Sequence, residues 1–468
     1  MSQYLHRQPI FVKRLWALSI PAILQNLITF SLGTIDTLMV SQLGNEAVAA
    51  VSTANVPVFL LISLVFGVQS GLGILISQYW GKGDTENISR AMGVASFFGV
   101  GLCTVLSVVF FLFPVQVMDL LSNDHSLSLL GAPYLRIIGF SYVFNMFSSV
   151  YVSAQRSVEN FVFGMKLFGF STLLNTFLNY LLIFGKFGCP ALGITGAALA
   201  TLLARCGEFV IALVCMVRSR TIPLNSAAFF CPGKDMALRF VRYSWPVVLN
   251  ETAWGMGNSM LTVILGHTHN SVEMLSANAV IGNLFRMFLV VCFGLGASTA
   301  VVVGKSIGEG RPRDEVQDLG NFLCWFAFRI GIVLAAVSLA LVPVLFIPVL
   351  FPLFKLYGET ARVATALATV SFAMIPFHAH GVSSITGVFR AGGDVKWATL
   401  MDLVPQWCIA VPLTALTALV LRSNCWLIAL AMQTEVLIKM PLCLLRFRTG
   451  RWIHDVTRPH FNSGGDAQ

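Results

Sequence analysis

The sequence predicts an all-α polytopic membrane protein: twelve transmembrane helices in two six-helix halves of the same orientation. Three observations predict it. Of the 468 residues, 56% are hydrophobic and 11% are charged, against about 25% charged in soluble domains. Twelve runs of roughly twenty or more apolar residues follow one another, each long enough to cross a hydrocarbon core of ~30 Å. The basic residues gather in every second loop.

The runs lie near 11–40, 46–79, 91–118, 131–155, 164–186, 191–217, 238–266, 276–306, 318–350, 361–388, 397–421 and 424–446. Several exceed the length a bilayer needs, so those helices tilt or protrude. The first is too long, and too interrupted by Pro and Asn, for a cleavable signal sequence. Of the thirty Lys and Arg residues, twenty-one fall on the side of the N-terminus, from Arg7, Lys13 and Arg14 through Lys82, Arg156, Arg390 and Arg458. The alternate loops hold Lys186, Lys355, Arg362 and Arg422. By the positive-inside rule both termini are cytoplasmic, and the count of spans is even. This bias also accounts for the net charge of +9, so no nucleic-acid partner is expected. Ten scattered cysteines without a CxxC pair read as small apolar residues, and no zinc site or disulfide framework is expected.

The two halves echo each other in order. Pro21 recurs as Pro246, Leu43-Gly44 as Leu265-Gly266, and Ala54-Asn55 as Ala277-Asn278. Phe66-Gly67 followed by Gly81-Lys82-Gly83 recurs as Phe293-Gly294 followed by Gly308-Glu309-Gly310, and Arg156 with Asn160 recurs as Arg390 with Asp394. Six spans per half make this a parallel repeat, a plan that binds substrate between the halves. The expected division is an N-lobe over 1–217, a basic inter-lobe loop over 218–237, a C-lobe over 238–446 and a cytoplasmic tail over 447–468.

Polar residues within the spans carry the functional reading, because a carboxylate at bilayer depth is costly and marks an ion, proton or substrate path. Pro21 in span 1 removes a backbone hydrogen bond and permits a kink. Asp36 lies toward the outer end of the same span. Asn175 and Asn179 share one face of span 5 at i,i+4, and Thr201 of span 6 reaches a similar depth. Together they make an oxygen-rich set suited to Na⁺ or to a protonatable aspartate. The plainer alternatives are an interfacial aspartate and interhelical hydrogen bonds. Arg205 and Glu208, at i,i+3 on span 6, neutralise each other. Glu251 sits near the middle of span 7 beside Asn250, Trp254 and Asn258. An acid beside an aromatic suits an organic cation; the plainer alternative is an ion pair with a base such as Arg286. His378 and His380 on span 10 are at i,i+2, on different faces, so they make no metal pair, though one could carry a proton near neutral pH. Asp402, close to the end of span 11, reads as interfacial. The Gly-rich turns at 81–84 and 308–311 lack Walker spacing. With no nucleotide-binding segment, the energy source is an ion gradient.

Several stretches, taken in order, resemble the multidrug and toxic compound extrusion (MATE) family over nearly the whole chain. They are Pro21 fifteen residues before Asp36, Asp-Thr-Leu-Met-Val-Ser-Gln-Leu-Gly ending at Gly44, and Ser77-Gln78-Tyr79. There follow Asn175-x-x-x-Asn179, Leu-Gly-Ile-Thr-Gly-Ala-Ala-Leu-Ala-Thr ending at Thr201, Pro246 with Asn250-Glu251, and Phe389-Arg390-Ala391-Gly392-Gly393-Asp394. The resemblance implies two six-helix bundles forming a V around a central cavity. It implies antiport of organic cations against Na⁺ or H⁺, a cation or proton site at Asp36, Asn175, Asn179 and Thr201, and a hinge at Pro21. Two departures stand out. Asn179 replaces the family's usual aspartate, and Ala379 stands where some members place a second acid. Glu251 is therefore expected to act alone or with His378 or His380.

The expectation is thus a secondary transporter with no cofactor and no enzymatic activity. It is a monomer in a bacterial inner membrane, surrounded by lipid and exporting small, mostly cationic amphipathic compounds by alternating access. The alternative is a flippase of lipid-linked or glycolipid substrates, which calls for a basic cavity. A membrane acyltransferase is disfavoured because no H-x-x-x-D or H-x-x-x-x-D motif occurs.

Overall fold

The computed structural model describes residues 9–121 and 124–458. Among them every regular element is helical. Ten helices are long and apolar enough to cross a membrane. They are α1 (Ile10–Ser41), α2 (Asn45–Lys82), α3 (Thr85–Leu112), α4 (His125–Ser157), α5 (Phe161–Phe184), α6 (Gly193–Arg218), α8 (Ser271–Gly308), α9 (Arg313–Leu353), α11 (Val395–Val420) and α12 (Cys425–Thr449). An eleventh span, α10, joins Gly358–Ala373 to Ile375–Phe389 through a 44° bend. Pro376 at the start of the second piece explains the bend, since its ring cannot continue the preceding turn. The twelfth, α7 (Lys234–Gly266), has 33 residues. It packs among the others but is more polar, carrying Asn250, Glu251 and Asn258.

Most ends match the apolar runs. Span 3 is the clearest correction: it stops at Leu112 rather than 118, because Pro114 opens a separate short helix, Pro114–Asp119. The starts of α3 and α4 are capped by Asp84 and Asp124, whose carboxylates accept from the backbone N–H groups of Asn87 and of Ser126 and Leu127; such caps satisfy donors the helix cannot. The inter-lobe loop is not free. Its short helix Ser226–Phe230 docks on α3, with the Phe97 and Phe229 rings 5.9 Å apart.

One large apolar core is built mainly from α1–α6 and extends into α7, and a second lies within α7–α12; these two groups of helices are the lobes. Large apolar side chains such as Phe97, Val105, Leu173, Val333 and Val344 face outward, as lipid-facing surfaces require. The lobes meet through α1, α2, α7 and α8, and the contacts obey the internal repeat. A Cβ at Gly67 of α2 would sit 2.9 Å from the Val248 Cα of α7, and one at Gly294 of α8 would sit 3.0 Å from the Ile23 Cα of α1. Ile23 and Val248 each follow the repeated proline by two residues. The repeated glycines therefore let the helices of opposite lobes touch backbone to backbone.

These contacts lie near the middle of the four helices, and the lobes touch again at the end of the molecule that carries the basic loops. There Glu159 binds Arg14 of α1 and Lys305 of α8, both at 2.8 Å, and Ser19 and Ser298 share a 2.7 Å hydrogen bond. The segment after α12, read from sequence as a tail, straps this end. Trp452 is fully buried in the base of the C-lobe and donates to Gln317 at 2.7 Å, while Val456 enters the N-lobe core. Gln78 of α2 donates to the carbonyls of Ala391 and His454 and accepts from the Val456 N–H. Lys82 pairs with Asp455 at 3.1 Å. Residues 459–468 lie outside the described residues.

Candidate substrate and ion sites

α1, α5 and α6 pack together in the N-lobe, and the four expected N-lobe residues meet there. Asn179 donates to Asp36 Oδ1 at 2.6 Å and to Asn175 Oδ1 at 2.9 Å. Asn175 in turn donates to Thr201 Oγ1 at 3.2 Å, and the Thr201 hydroxyl donates to the Ala197 carbonyl. Both asparagines are buried, Asp36 is partly so, and Asn179 Oδ1 has no partner among the described residues. The i,i+4 spacing is what aligns the two amides. With Asn179 Nδ2 spent on two acceptors, the unpartnered Oδ1 and the second carboxylate oxygen remain as oxygen ligands. That set suits a hard cation, which takes carboxylate and carbonyl oxygen, or a proton on Asp36. Arg205 pairs with Glu208 at 2.7 Å, as the i,i+3 spacing predicts. Among the described residues no group of three His, Cys, Asp or Glu could hold a metal. Pro21 lies within α1, which continues unbroken through it.

The C-lobe differs from the sequence-based expectation. Glu251 is not alone, and neither histidine serves it. Its partner is Arg390, whose Nη2 donates to Glu251 Oε1 at 2.9 Å. The sequence places Arg390 in a loop, yet it is 1% exposed. A wide π-helical stretch, Ser383–Phe389, re-phases α10 just before it, as such stretches do at functional positions. The plainer alternative, an ion pair, is the arrangement present, with Arg390 in place of Arg286. His378 instead contacts Gln433 Oε1 at 2.9 Å, and His380 is fully buried beside Ser384, Trp325 and Phe328. Asn258 turns back to the Trp254 carbonyl of its own helix. Asp402 is not a loose interfacial acid: Lys439 binds it at 2.8 Å and Asn250 donates to it at 2.8 Å. Lys439 also reaches Glu435 at 3.3 Å. Opposite charges within neighbouring apolar spans were the signal for this cluster.

Between the lobes lies a cavity of about 460 Å³, lined by Asn26, Phe30 and Phe66 from the N-lobe and by Trp254, Leu289, Phe293 and Thr386 from the C-lobe. Its charged lining is Glu251, Arg156, Arg286 and Arg390. Arg156, too, had been assigned to a loop. Asp36 is not among the lining residues; its site is set within the N-lobe. The polar Asp36 set and the inter-lobe cavity are thus two distinct places.

The family model MatE matches residues 21–181 and again 246–416. The chain belongs to the MatE family. The two matches begin at Pro21 and Pro246, the proline that opens each repeat. Relatives include "Probable multidrug resistance protein YoeA" of Bacillus subtilis, 26% identical over 399 residues and 84% of each chain. Another is "Multidrug resistance protein MdtK" of Pectobacterium atrosepticum, 26% identical over 429 residues, 90% of this chain and 89% of that one. Among solved structures, a mutant of the Vibrio cholerae MATE transporter VcmN superposes with a TM-score of 0.84 at 18% identity, covering 95% of this chain and 98% of that one. An outward-facing MATE family transporter gives 0.80 at 19%, covering 94% and 95%. The MatE chain described here is thus an integral, multi-pass membrane protein with the MATE transporter fold.

Proposed function

We propose that this chain is an ion-coupled antiporter that extrudes amphipathic organic compounds by alternating access, with Asp36 as the group that takes up Na⁺ or a proton. The observation that carries the reading is the hydrogen-bonded run Asp36–Asn179–Asn175–Thr201, set beside but apart from the inter-lobe cavity. Among the described residues no counter-charge is bonded to this carboxylate, so a cation or proton is its natural partner. The names of relatives that span most of the chain, multidrug resistance proteins, support extrusion as the activity. Repeated lobes that touch at one end support rocking of one against the other. The distribution of Lys and Arg supports a plasma membrane location with both termini cytoplasmic.

The sequence alone argues for a mostly cationic cargo. That argument rests on Glu251 with Trp254 and on the family resemblance, and the pairing of Glu251 with Arg390 weakens the first of these. The arginines in the cavity favour a second reading, a flippase of lipid-linked anionic substrates. Everted vesicles or proteoliposomes separate the two. Imposed Na⁺ or pH gradients should drive a fluorescent amphiphile out in the wild type and not in Asp36→Asn. Movement of a lipid-linked substrate without either gradient, unaffected by Asp36→Asn, would establish the flippase instead.

A further inference from the structure

The charged lining of the central cavity consists of three arginines and one glutamate, Glu251. The glutamate is already engaged by Arg390 Nη2. Arg390 is 1% exposed, yet its Nε and Nη1 have no partner, and Arg156 Nε is likewise buried and unpartnered. Among the described residues neither Arg156 nor Arg286 has a carboxylate within ion-pair distance. A buried guanidinium left without an acceptor is costly, and planar acid groups are the acceptors whose geometry fits it. The internal repeat adds a second argument. Arg156 and Arg390 occupy equivalent places in the two halves, so each lobe delivers one guanidinium to the same cavity. The walls beside them, Phe66 and Phe293, are likewise a repeated pair and offer apolar surface to the body of a ligand.

We propose that the central cavity recognises its substrates by an acidic group, a carboxylate, sulfonate or phosphate, seated on Arg156 and Arg390, and not by a positive charge. This names the cargo of the extrusion reading and rests on it for its physiological meaning. The binding chemistry stands on the cavity itself.

The test is a charge series on one fluorophore, bound to the purified full chain. Dansylglycine carries a carboxylate, dansylglycinamide is neutral and dansylcadaverine is a cation. Dansylglycine should bind about tenfold or more tightly than either of the others, the order of magnitude for charge-assisted hydrogen bonds. Arg156→Gln should remove most of that advantage, and Arg156→Lys should keep part of it. Because Arg390→Gln strands Glu251, the double variant Arg390→Gln with Glu251→Gln tests the second arginine. Equal or tighter binding of dansylcadaverine by the wild type overturns the proposal without any variant having to fold. An Arg156→Gln protein that is monodisperse and binds dansylglycine like the wild type overturns the assignment of Arg156. Wild-type protein that binds dansylglycine but moves no amphiphile under any gradient contradicts the extrusion reading and leaves the cavity assignment intact.

Discussion

Asp36 accepts a 2.6 Å hydrogen bond from Asn179, a residue with no charge to offer it. A carboxylate so placed can bind an ion only as tightly as its oxygen neighbours allow. Asn179→Ala should therefore weaken ion affinity about tenfold, as expected for loss of a hydrogen bond to a charged group, and titration of Na⁺- or H⁺-dependent transport reads this. Glu251 and Arg390 predict the opposite kind of coupling. Arg390→Gln alone should destabilise by about 3–5 kcal/mol, since it strands a buried partner. Adding Glu251→Gln should restore much of the loss, and thermal melts of the two variants in detergent would measure it. The Asp36 set was legible in the sequence because four polar residues reach one depth on three spans. Arg390 was not, because the end of a span and the start of a loop look alike to a count of basic residues. The pairing of the Arg156 and Arg390 motifs across the halves was the available clue, since a residue repeated in both lobes is placed to meet at their seam.

At the scale of elements, the end with the basic loops is closed by packing that tolerates no added atom. Gly308→Ala would bring its Cβ to within 2.8 Å of the Gln78 carbonyl carbon, and deeper in the span Gly67→Ala would crowd Val248 in the same way. Both variants should shift the lobes away from this closed arrangement. Cysteines placed in the basic-end loops should then label faster than in the wild type. The strap is the second closure, and its charged groups predict a response to pH. Burial alone would raise Asp455, but hydrogen bonds from Thr457 and Lys82, with the Lys82 charge, hold its carboxyl below the usual range. Burial, helped by Arg446 and Arg313 and opposed by Asp394, holds His454 below its ordinary value. Both groups have lowered values when folded. The stability each lends is present above its unfolded value, about 6.5 for histidine and 3.9 for aspartate, and is lost as the pH falls through the lowered one. Hydrogen exchange should show residues 451–458 protected at neutral pH and progressively freer below ~6.5, with Asp455→Asn less protected at neutral pH and the difference vanishing in acid. The strap was hidden in the sequence because Trp452-Ile453 and Val456 are short apolar islands in a polar stretch, without the periodicity that reveals a helix.

For the whole molecule, twelve spans and a parallel repeat were readable because they rest on the strongest signals a chain offers: apolar length and alternating charge. The bend in α10 and the π-helical stretches of the C-lobe were not, because they are settled by packing between helices. Under the proposed function, the Asp36 set in one lobe and the basic cavity at the seam would make a coupled exchanger in which ion and cargo bind in different places. Coupling is then reciprocal: what an ion gradient does to the cargo, a cargo gradient must do to the ion. The decisive measurement uses proteoliposomes with an imposed gradient of amphiphile and no ion gradient, following internal pH and sodium together. The wild type should drive H⁺ or Na⁺ in the opposite direction, and Asp36→Asn should not. Cargo movement in the wild type with neither ion moving, or undiminished ion movement in Asp36→Asn, would contradict the account.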